Sequence, residues 1–279
     1  MKIEKFWLKQ SNLLEWYQKP SFAFKKKKHN YVDWYSDGKI NIFDNCVSKN
    51  IKLGLGKKIA LYCINKKKQI TSYTYDEINE KVNQFSIIIV NQLKKKTASS
   101  SKIMIHASAS FESSISMLSC AKLGIHFSVI FEDLADEAIL KRISLFKPDI
   151  FFTNRKRETF KKLKINKKIK FIFFDEVKYL KKTKTINVKS RLINGNKELF
   201  TLFTSGSTGE PKGITHASAG YLVYTKYTCK HQFGMNRNSV ILTASDAGWL
   251  NGHTYALFGP LSFGATTILI EKPILLIDD

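Results

Sequence analysis

Residues 199–213 constrain the fold and function of this chain more than any other stretch. Residues 199–203 are mainly apolar and predict a buried strand. A run of hydroxyl-bearing residues and glycines follows at 204–209. Because Gly206 and Gly209 lack a Cβ, the backbone there can turn tightly and bring successive N–H groups close to an anion. The segment therefore predicts a strand that leads into an anion-binding loop.

The side chains of this loop suit the phosphates of a nucleotide. Lys212 adds a positive charge to four hydroxyl donors, which come from Thr204, Ser205, Ser207 and Thr208. The loop is not a Walker A motif, because Pro211 stands where that motif has its second glycine. A solvated Ser/Gly linker is the alternative, but the preceding strand and the Pro-Lys-Gly ending favour a phosphate loop.

The formal net charge of +23 raises the question of nucleic-acid binding. However, 41 of the 46 basic residues are lysines, and arginine, the usual reader of base edges and phosphates, is rare. We therefore expect no nucleic-acid partner. No apolar stretch approaches the ~20 residues that cross a bilayer, so we also expect no membrane partner. The four cysteines lack CxxC spacing and predict neither zinc nor disulfides, which favours a cytoplasmic protein with reduced thiols.

Apolar periodicity divides the chain into alternating strands and helices. Thr74 and Glu77 form a predicted capping box at the start of one helix. Another helix would begin at residue 216, beside the loop, and add its dipole to phosphate binding. The alternation predicts an α/β fold with mostly parallel sheets that helices cover on both faces. The predicted strands are 59–64, 69–75, 102–107, 127–131, 148–153, 170–174, 240–244 and 264–270, and the predicted helices are 75–93, 110–123, 136–146 and 216–232.

A second group of functional residue types follows the strand predicted at 240–244. Residues 246–255 combine a carboxylate, two glycines, an indole, an amide, an imidazole and a phenol. Ligands of open α/β sheets bind beyond the carboxyl ends of the strands, so these residues predict a small pocket with Trp249 and Leu250 in its wall. The alternative is a strand-to-helix corner in which Trp249 and Tyr255 are buried core. For His253, a structural role at a turn is favoured over that of a general base.

Both segments resemble motifs of the adenylate-forming acyl-CoA synthetases. The sequence Thr-Ser-Gly-Ser-Thr-Gly-Glu-Pro-Lys-Gly at 204–213 is similar to their phosphate loop. The sequence Asp-Ala-Gly-Trp-Leu-Asn-Gly-His-Thr-Tyr at 246–255 looks like a segment of acetyl- and propionyl-CoA synthetases, as do Phe-Trp at 6–7 and Asp-Gly-Lys-Ile-Asn at 37–41. The chain is thus identified as an acetyl-/propionyl-CoA synthetase-like member of the AMP-dependent synthetase/ligase superfamily.

The resemblance implies a domain organisation. Residues 1–50 would be the N-terminal extension of acetyl-CoA synthetases, and residues 51–279 would be part of the large N-terminal domain. The match covers only the first half of such an enzyme, without the rest of the large domain or the small C-terminal domain. We therefore expect the 279-residue chain to be inactive by itself.

The resemblance also implies a two-step reaction. A short-chain carboxylate, acetate or propionate, attacks the α-phosphate of Mg-ATP and gives an acyl-adenylate and pyrophosphate, and the thiol of CoA then displaces AMP. Thr208 and Lys212 would be the catalytic residues, and the acyl pocket would be bordered by Trp249, Leu250, Asn251 and Gly252. Mg²⁺ would accompany ATP, and no metal ligand is assigned to this chain. ATP would be bound through Thr204, Ser205, Gly206, Ser207, Thr208, Gly209 and Lys212.

The sequence departs from these synthetases at two places. Leu250 and Asn251 replace a smaller β-branched residue and a threonine; one methylene discriminates by only about 1–3 kcal/mol, so acetate and propionate both stay open. A Gly-Gly-Phe-Ser type turn that helps to hold CoA is replaced at 132–135 by Glu-Asp-Leu-Ala. The family's arginine pair has only loosely placed substitutes, which are Arg155, Arg157, Lys161 and Lys162, so CoA binding stays open as well.

Three hypotheses therefore stand for the role of the chain. The first is an acetate–CoA ligase-like enzyme of the AMP-forming type, of which this is the N-terminal half. The second is a non-catalytic remnant or binding domain of a split or decayed synthetase gene. The third is a basic nucleic-acid-binding protein, which a steep salt dependence of DNA binding would reveal.

Overall fold

The computed structural model describes residues 2–27, 31–93, 97–161, 165, 168–177, 187–205 and 210–272. Its strands in chain order are β1 Phe24–Lys26, β2 Val32–Trp34, β3 Lys39–Ile40, β4 Ile59–Ile64, β5 Ile70–Thr74, β6 Lys102–His106, β7 His126–Ile130, β8 Ile150–Thr153, β9 Lys170–Phe173, β10 Ile193–Asn194, β11 Glu198–Ser205, β12 Pro211–Ala217, β13 Val240–Leu242 and β14 Thr266–Ile270.

Nine α-helices occur within the described residues. They are α1 Lys2–Gln10, α2 Tyr75–Leu93, α3 Phe111–Leu123, α4 Asp136–Phe146, α5 Arg157–Lys161, α6 Phe174–Val177, α7 Ser218–Phe233, α8 Leu250–His253 and α9 Gly259–Phe263. None of the described helices is both long enough and apolar enough to span a membrane.

The strands form two main sheets. The larger sheet has the order β12-β11-β7-β6-β8-β9 and is parallel except for the antiparallel hairpin of β11 and β12. The smaller sheet has the order β13-β14-β4-β5 and is parallel except for the antiparallel pair of β4 and β5. Two short antiparallel pairs, β1 with β2 and β3 with β10, complete the set. This α/β architecture with mostly parallel sheets confirms the prediction from the sequence.

Local sequence signals account for the ends of several helices. The Thr74 amide donates to the Glu77 carboxylate at 2.7 Å and the Glu77 amide donates to the Thr74 hydroxyl at 3.2 Å, which is the predicted capping box of α2. Ser110 caps α3 in the same reciprocal way, and Gly124 ends that helix in the left-handed region with φ of 63°. Every residue of α3 from Ser113 to Leu123 is buried, so this helix lies within the core.

The N-terminal segment is tied into the core by a buried amide. Asn41 is fully buried, and its Nδ2 donates to the carbonyl oxygens of Ala121, Lys122 and Arg191 at 3.3, 3.0 and 2.8 Å. The Asn41 Oδ1 accepts the Asp44 amide at 3.1 Å. One side chain therefore satisfies three backbone carbonyls from two other parts of the chain.

The helix predicted at 216–232 occurs as α7, but its start does not lie beside the predicted phosphate loop. The sequence analysis starts a helix at residue 216, beside the phosphate loop, whereas residues 211–217 form β12 and α7 begins at Ser218. Since β12 runs antiparallel to β11 and pairs Ala217 with Glu198, the start of α7 lies at the opposite end of the hairpin from the loop. At ~3.4 Å per residue, that separation is about 20 Å. The dipole of α7 therefore does not contribute to phosphate binding.

Candidate functional site

The β11–β12 hairpin positions both ends of the predicted phosphate loop. The register pairs Thr204 with Lys212 and Ser205 with Pro211, so the loop leaves and returns at adjacent points. The Thr204 hydroxyl points to the Lys212 carbonyl at 3.5 Å, and the Lys212 side chain is exposed to solvent. Thr204 and Lys212 are therefore together at the mouth of the loop. Gly206, Ser207, Thr208, Gly209 and the side chain of Ser205 lie outside the described residues.

The strand that carries the loop is held firmly in the sheet. The Thr201 hydroxyl lies 2.8 Å from His126 Nε2 on the neighbouring β7 and 2.7 Å from the Thr215 hydroxyl on β12. At the far side of the loop, Glu210 forms an ion pair with Lys141 of α4. The Glu210 carboxylate is thus paired with Lys141, and Lys212 is exposed to solvent at the mouth.

We call the second predicted segment, residues 246–255, the acyl segment, and its first part folds tightly after β13. The Asp246 carboxylate accepts the Gly248 amide at 2.7 Å, and the Asp246 carbonyl accepts the Trp249 amide at 3.1 Å. A Cβ at Gly248 would lie 2.8 Å from the ring of Phe131, and a Cβ at Gly252 would lie 2.1 Å from the Asp246 carbonyl oxygen. Both positions therefore require glycine because other atoms approach too closely for a side chain.

The alternative in which Trp249 and Tyr255 are buried core is wrong for Trp249, and Tyr255 is only partly buried. The Trp249 side chain is 59% exposed, and its ring makes an edge contact with Phe131 at 5.3 Å between centroids. Leu250 is 41% exposed and Asn251 is exposed as well. Three of the four residues predicted to border the acyl pocket are thus exposed and available to a ligand, whereas the fourth, Gly252, is buried.

His253 links this segment to the larger sheet. It is fully buried, and its ring lies 5.8 Å from the Phe127 ring on β7 and 4.5 Å from the Phe200 ring on β11. Its Nε2 lies 2.8 Å from the Ala247 carbonyl, which only accepts, so Nε2 carries the proton. Burial lowers the pKa of His253 to about 3, so the ring is neutral. These contacts agree with the structural role favoured from the sequence.

The register places the two predicted segments at one edge of the larger sheet. Phe200 on β11 pairs with Phe127 on the parallel β7. Continuing this pairing four residues along each strand brings Thr204, at the loop mouth, level with Phe131, the residue after β7, whose ring contacts Trp249. This is the carboxyl end of the parallel strands, where α/β proteins bind their ligands.

A cavity of about 700 Å³ opens beside the acyl segment. Leu250 and Asn251 line it together with residues of β12, α7 and the N-terminal segment. Trp249 instead borders a separate cavity of about 390 Å³ next to Asp246. The sequence analysis missed the aromatic wall of the cavity of about 700 Å³, which includes Trp7, Trp34, Tyr35, Tyr221, Tyr224 and Tyr255. Aromatic residues at 6–7 and 34–35 were the available signal, but nothing in the sequence tells which surface they cover.

Family models assign the chain by sequence. Residues 54–279 match the model described as "AMP-binding enzyme". The chain belongs to the AMP-binding enzyme family. Residues 2–46 match a second model, described as "Acetyl-coenzyme A synthetase N-terminus". Both matches confirm the resemblance drawn from the phosphate loop and the acyl segment.

Comparison with individual proteins agrees with the family models. The chain is 32% identical to an acetyl-coenzyme A synthetase of Bartonella quintana (strain Toulouse), over 96% of this chain and 46% of that protein. It is 30% identical to one from Leptospira biflexa serovar Patoc (strain Patoc 1 / Ames), over 97% of this chain and 46% of the relative. The solved acetoacetyl-CoA synthetase from Streptomyces lividans superposes with a TM-score of 0.81 at 14% identity, over 97% of this chain and 45% of that one. The chain thus spans less than half the length of these relatives.

The turn after β7, where the sequence departs from the acyl-CoA synthetases, is held by three cationic or polar side chains. Lys66 pairs with the Glu132 carboxylate at 2.6 Å. The Arg155 guanidinium pairs with Asp136 at 2.9 Å and also donates to the Glu132 and Leu134 carbonyls. His106 Nε2, at 3.1 Å, donates to the Glu132 carbonyl. The turn is therefore tied down from three sides.

The charged side chains at this turn mostly form ion pairs with other residues of the chain. Arg157, the second loosely placed arginine, pairs with Glu176 at 2.8 Å. Burial raises the pKa of the Asp246 carboxyl group, and the negative charges of Glu132 and Asp133 raise it further. Neither arginine points a free guanidinium toward the acyl segment, and the edge beside Trp249 is acidic.

Proposed function

We propose that this chain provides the phosphate-binding and acyl-binding parts of an enzyme that activates a short-chain carboxylate with ATP. The carboxylate, acetate or propionate, attacks the α-phosphate to give an acyl-adenylate and pyrophosphate, and CoA then takes the acyl group and releases AMP. The observation that carries the proposal is the placement of Thr204, Lys212 and Trp249 at one edge of the larger sheet. The similarity to acetyl-coenzyme A synthetases supports the choice of acid.

The phosphate loop would act by position and charge. Loops of this kind bind the phosphates through backbone N–H groups and hydroxyls. Lys212, exposed at the mouth, would stabilise the negative charge that collects on the leaving pyrophosphate, with Thr208 as its partner in the loop. The described residues include no group of three or more His, Cys, Asp or Glu side chains suited to a metal ion. Hydroxyls and a lysine fit phosphate oxygens, so Mg²⁺ would be held through the phosphates and would neutralise part of their charge.

The acyl group would lie against Trp249, Leu250, Asn251 and Gly252. Because Gly252 has no Cβ, α8 packs directly against the Asp246 carbonyl. This close approach fixes the positions of Leu250 and Asn251 in the same helix. CoA belongs to the proposal through the family, although the acidic turn at 132–136 differs from the turn expected there. We place the reaction in the cytoplasm, since Cys46, Cys63, Cys120 and Cys229 are all free thiols.

The test is carboxylate-dependent exchange of pyrophosphate into ATP. We expect residues 1–279 alone to show no exchange above background, since they span less than half of each relative. In a chimera, residues 1–279 are joined to the part of the Bartonella quintana relative that follows the matched region. This chimera should show pyrophosphate exchange above background. The second half of that relative alone is the negative control, and the intact relative is the positive control.

Lys212 provides the residue-level test within the chimera. Lys212→Gln should lower the exchange rate about 10²–10³-fold, the usual effect of removing one preorganised charge stabiliser. Lys230→Gln, at an exposed lysine on α7, is the matched control and should leave the rate unchanged. A chimera that melts cooperatively but exchanges no pyrophosphate with either acid would refute the proposed function. Equal rates for the two lysine variants would refute the role of Lys212.

A further inference from the structure

The outer side of α1 carries an exposed apolar patch. No residue of α1 is fully buried, and the helix packs against the core through Trp7 and Leu8. Its Ile3 and Phe6 are 68% and 41% exposed. Because they stand three positions apart in a helix, these two side chains are neighbours on its surface. α1 therefore presents two adjacent apolar side chains to the outside of the protein.

Three lysines border this apolar patch. Lys2, Lys5 and Lys9 are exposed, and their spacings of three and four residues place them in one stripe along α1. None of them forms an ion pair within the described part of the chain. The acidic residue of α1, Glu4, is directed elsewhere, since its Oε1 accepts the Ala23 amide at 2.9 Å. The positive charges of the stripe thus face solvent.

The hairpin of β1 and β2 extends this side of the molecule. Its register pairs Phe24 with Trp34 and Lys26 with Val32. Since alternate residues of a strand share a face, Lys26 and Val32 lie on the face of Trp34. The ring of Trp34 is 6.1 Å from the ring of Trp7 on α1. Lys26 is exposed and Val32 is 40% exposed, so the hairpin adds a lysine and an apolar side chain beside α1. We call the exposed side chains of α1, together with Lys26 and Val32, the lysine surface.

Aromatic rings of α7 stand beside the lysine surface. The Tyr227 ring is 5.6 Å from the ring of Phe6, and the Tyr224 ring is 6.1 Å from the ring of Trp7. Tyr224 is 56% exposed. Tryptophan and tyrosine concentrate at the headgroup level of bilayers, because each combines an apolar ring with one polar group. The neighbourhood of α1 therefore combines exposed apolar, basic and interfacial aromatic residues.

This combination fits the headgroup layer of an anionic bilayer. Amphipathic helices with lysines on the polar face lie in that layer, insert their apolar side chains and are attracted to anionic lipids. The formal net charge of +23 adds long-range attraction to a negatively charged surface. A nucleic acid fits less well, because the lysine surface contains no arginine, the usual reader of phosphates and base edges.

We infer that the lysine surface attaches the chain to anionic lipid bilayers. Ile3 and Phe6 enter the headgroup layer, and the lysines contact the negatively charged lipid headgroups. The absence of a long apolar stretch argues against crossing a bilayer, which is a different matter from binding at its surface. The inference concerns a surface and its partner and does not depend on the proposed reaction.

Sedimentation with lipid vesicles tests the inference on residues 1–279. Vesicles of seven parts phosphatidylcholine to three parts phosphatidylserine should bind the chain at least tenfold more tightly than vesicles of phosphatidylcholine alone. Raising NaCl from about 0.1 M to about 0.5 M should weaken this binding at least tenfold, because salt screens the attraction between exposed charges.

Two variants separate the apolar and the basic contributions. Ile3→Asp/Phe6→Asp should weaken binding to the anionic vesicles at least tenfold, because it removes the inserted side chains. Lys2→Gln/Lys5→Gln/Lys9→Gln should weaken it about 10²-fold, since one lysine near an anionic surface contributes about fivefold. If the first variant does not melt cooperatively, the second decides, because its three positions are exposed and form no ion pair among the described residues.

Matched controls place the same changes on other helices and loops. Val90→Asp/Leu145→Asp alters two exposed apolar positions on α2 and α4, which are 45% and 51% exposed. Lys57→Gln/Lys67→Gln/Lys81→Gln removes three positive charges at exposed positions outside α1. Each control should change vesicle binding less than about threefold. Equal weakening by a control and by its α1 counterpart would overturn the inference.

The remaining outcomes are equally decisive. The chimera described above should bind the anionic vesicles as residues 1–279 do, and a chimera that melts cooperatively without binding them would show that the longer protein covers the surface. Equal binding to both kinds of vesicle, or to neither, would also overturn the inference. Binding of single-stranded RNA that the triple α1 variant abolishes, without vesicle binding, would assign the surface to a nucleic acid instead.

Discussion

A buried lysine on α7 offers a quantitative test of the core. Lys226 is 7% exposed, its Nζ donates to the Ser262 carbonyl at 2.8 Å, and it lies 4.9 Å from the centre of the Phe263 ring. Burial lowers the pKa of its amino group from 10.5 to about 8, and the charge of Lys49 lowers it further. Lys226 is thus charged at neutral pH in a buried environment that favours its neutral form.

The sign of the pH dependence follows from the two pKa values. Between about 8 and 10.5 the unfolded chain binds the proton and the folded chain has lost it, so the free energy of unfolding rises with pH. From pH 7 to pH 9.5 this one group adds about 2 kcal/mol of stability. Above pH 9 the buried thiols act in the opposite direction, because burial raises the pKa of Cys46 and Cys229 to about 12. A difference between two variants removes that background.

The perturbation is Lys226→Met, which keeps the aliphatic stem and removes the charge. At pH 7 the buried charge of the amine lowers the free energy of unfolding by about 3 kcal/mol, and the hydrogen bond to Ser262 raises it by about 1 kcal/mol. The variant should therefore be more stable than the unaltered chain by about 2 kcal/mol. By pH 9.5 this difference in the free energy of unfolding should fall to near zero. Urea unfolding followed by tryptophan fluorescence at pH 7, 8, 9 and 9.5 measures both quantities.

The control is Lys230→Met, the same change at an exposed position one turn later on α7, which should alter the free energy of unfolding by less than about 0.5 kcal/mol. The reasoning is refuted if Lys226→Met destabilises the protein at pH 7 by more than its hydrogen bond, or if the difference from the unaltered chain does not change with pH.

Three further predictions concern the N-terminal segment and the candidate site. Asn41→Asp should lower the free energy of unfolding by about 3–5 kcal/mol, because a buried carboxylate would face three carbonyl oxygens; chemical denaturation measures it, and a loss below 1 kcal/mol would mean that these contacts are absent. Gly252→Ala should cost about 1–3 kcal/mol through the clash with the Asp246 carbonyl; a melting curve identical to that of the unaltered chain would contradict the close approach. In the active chimera, Phe131→Ala should raise the KM for the carboxylate several-fold and leave the KM for ATP unchanged, because Phe131 contacts Trp249; an equal rise in both values would rule out this selective effect.

Local signals in the sequence predicted local structure well. The Thr74 and Glu77 capping box depends on contacts within a few residues and occurs as predicted, and α3 ends at Gly124, directly after the predicted helix 110–123. β12 was missed because its residues have no strand-like alternation. They form a strand because β11 offers an open edge on the other side of a short loop. Pairing partners of this kind are a property of the whole sheet and not of the segment.

The sequence by itself determined the α/β class, the family, the strand that leads into the predicted phosphate loop and the position of the predicted acyl segment. Each of these follows from residue types at fixed spacing, which constrain the backbone locally or match a motif. Only the tertiary structure decided what lies beside them. It brought Trp34 of the N-terminal segment to the same cavity as Leu250, and it tied Arg155 to the turn after β7. These contacts join residues at least 19 positions apart, and burial and packing of the whole chain, not spacing along it, bring them together.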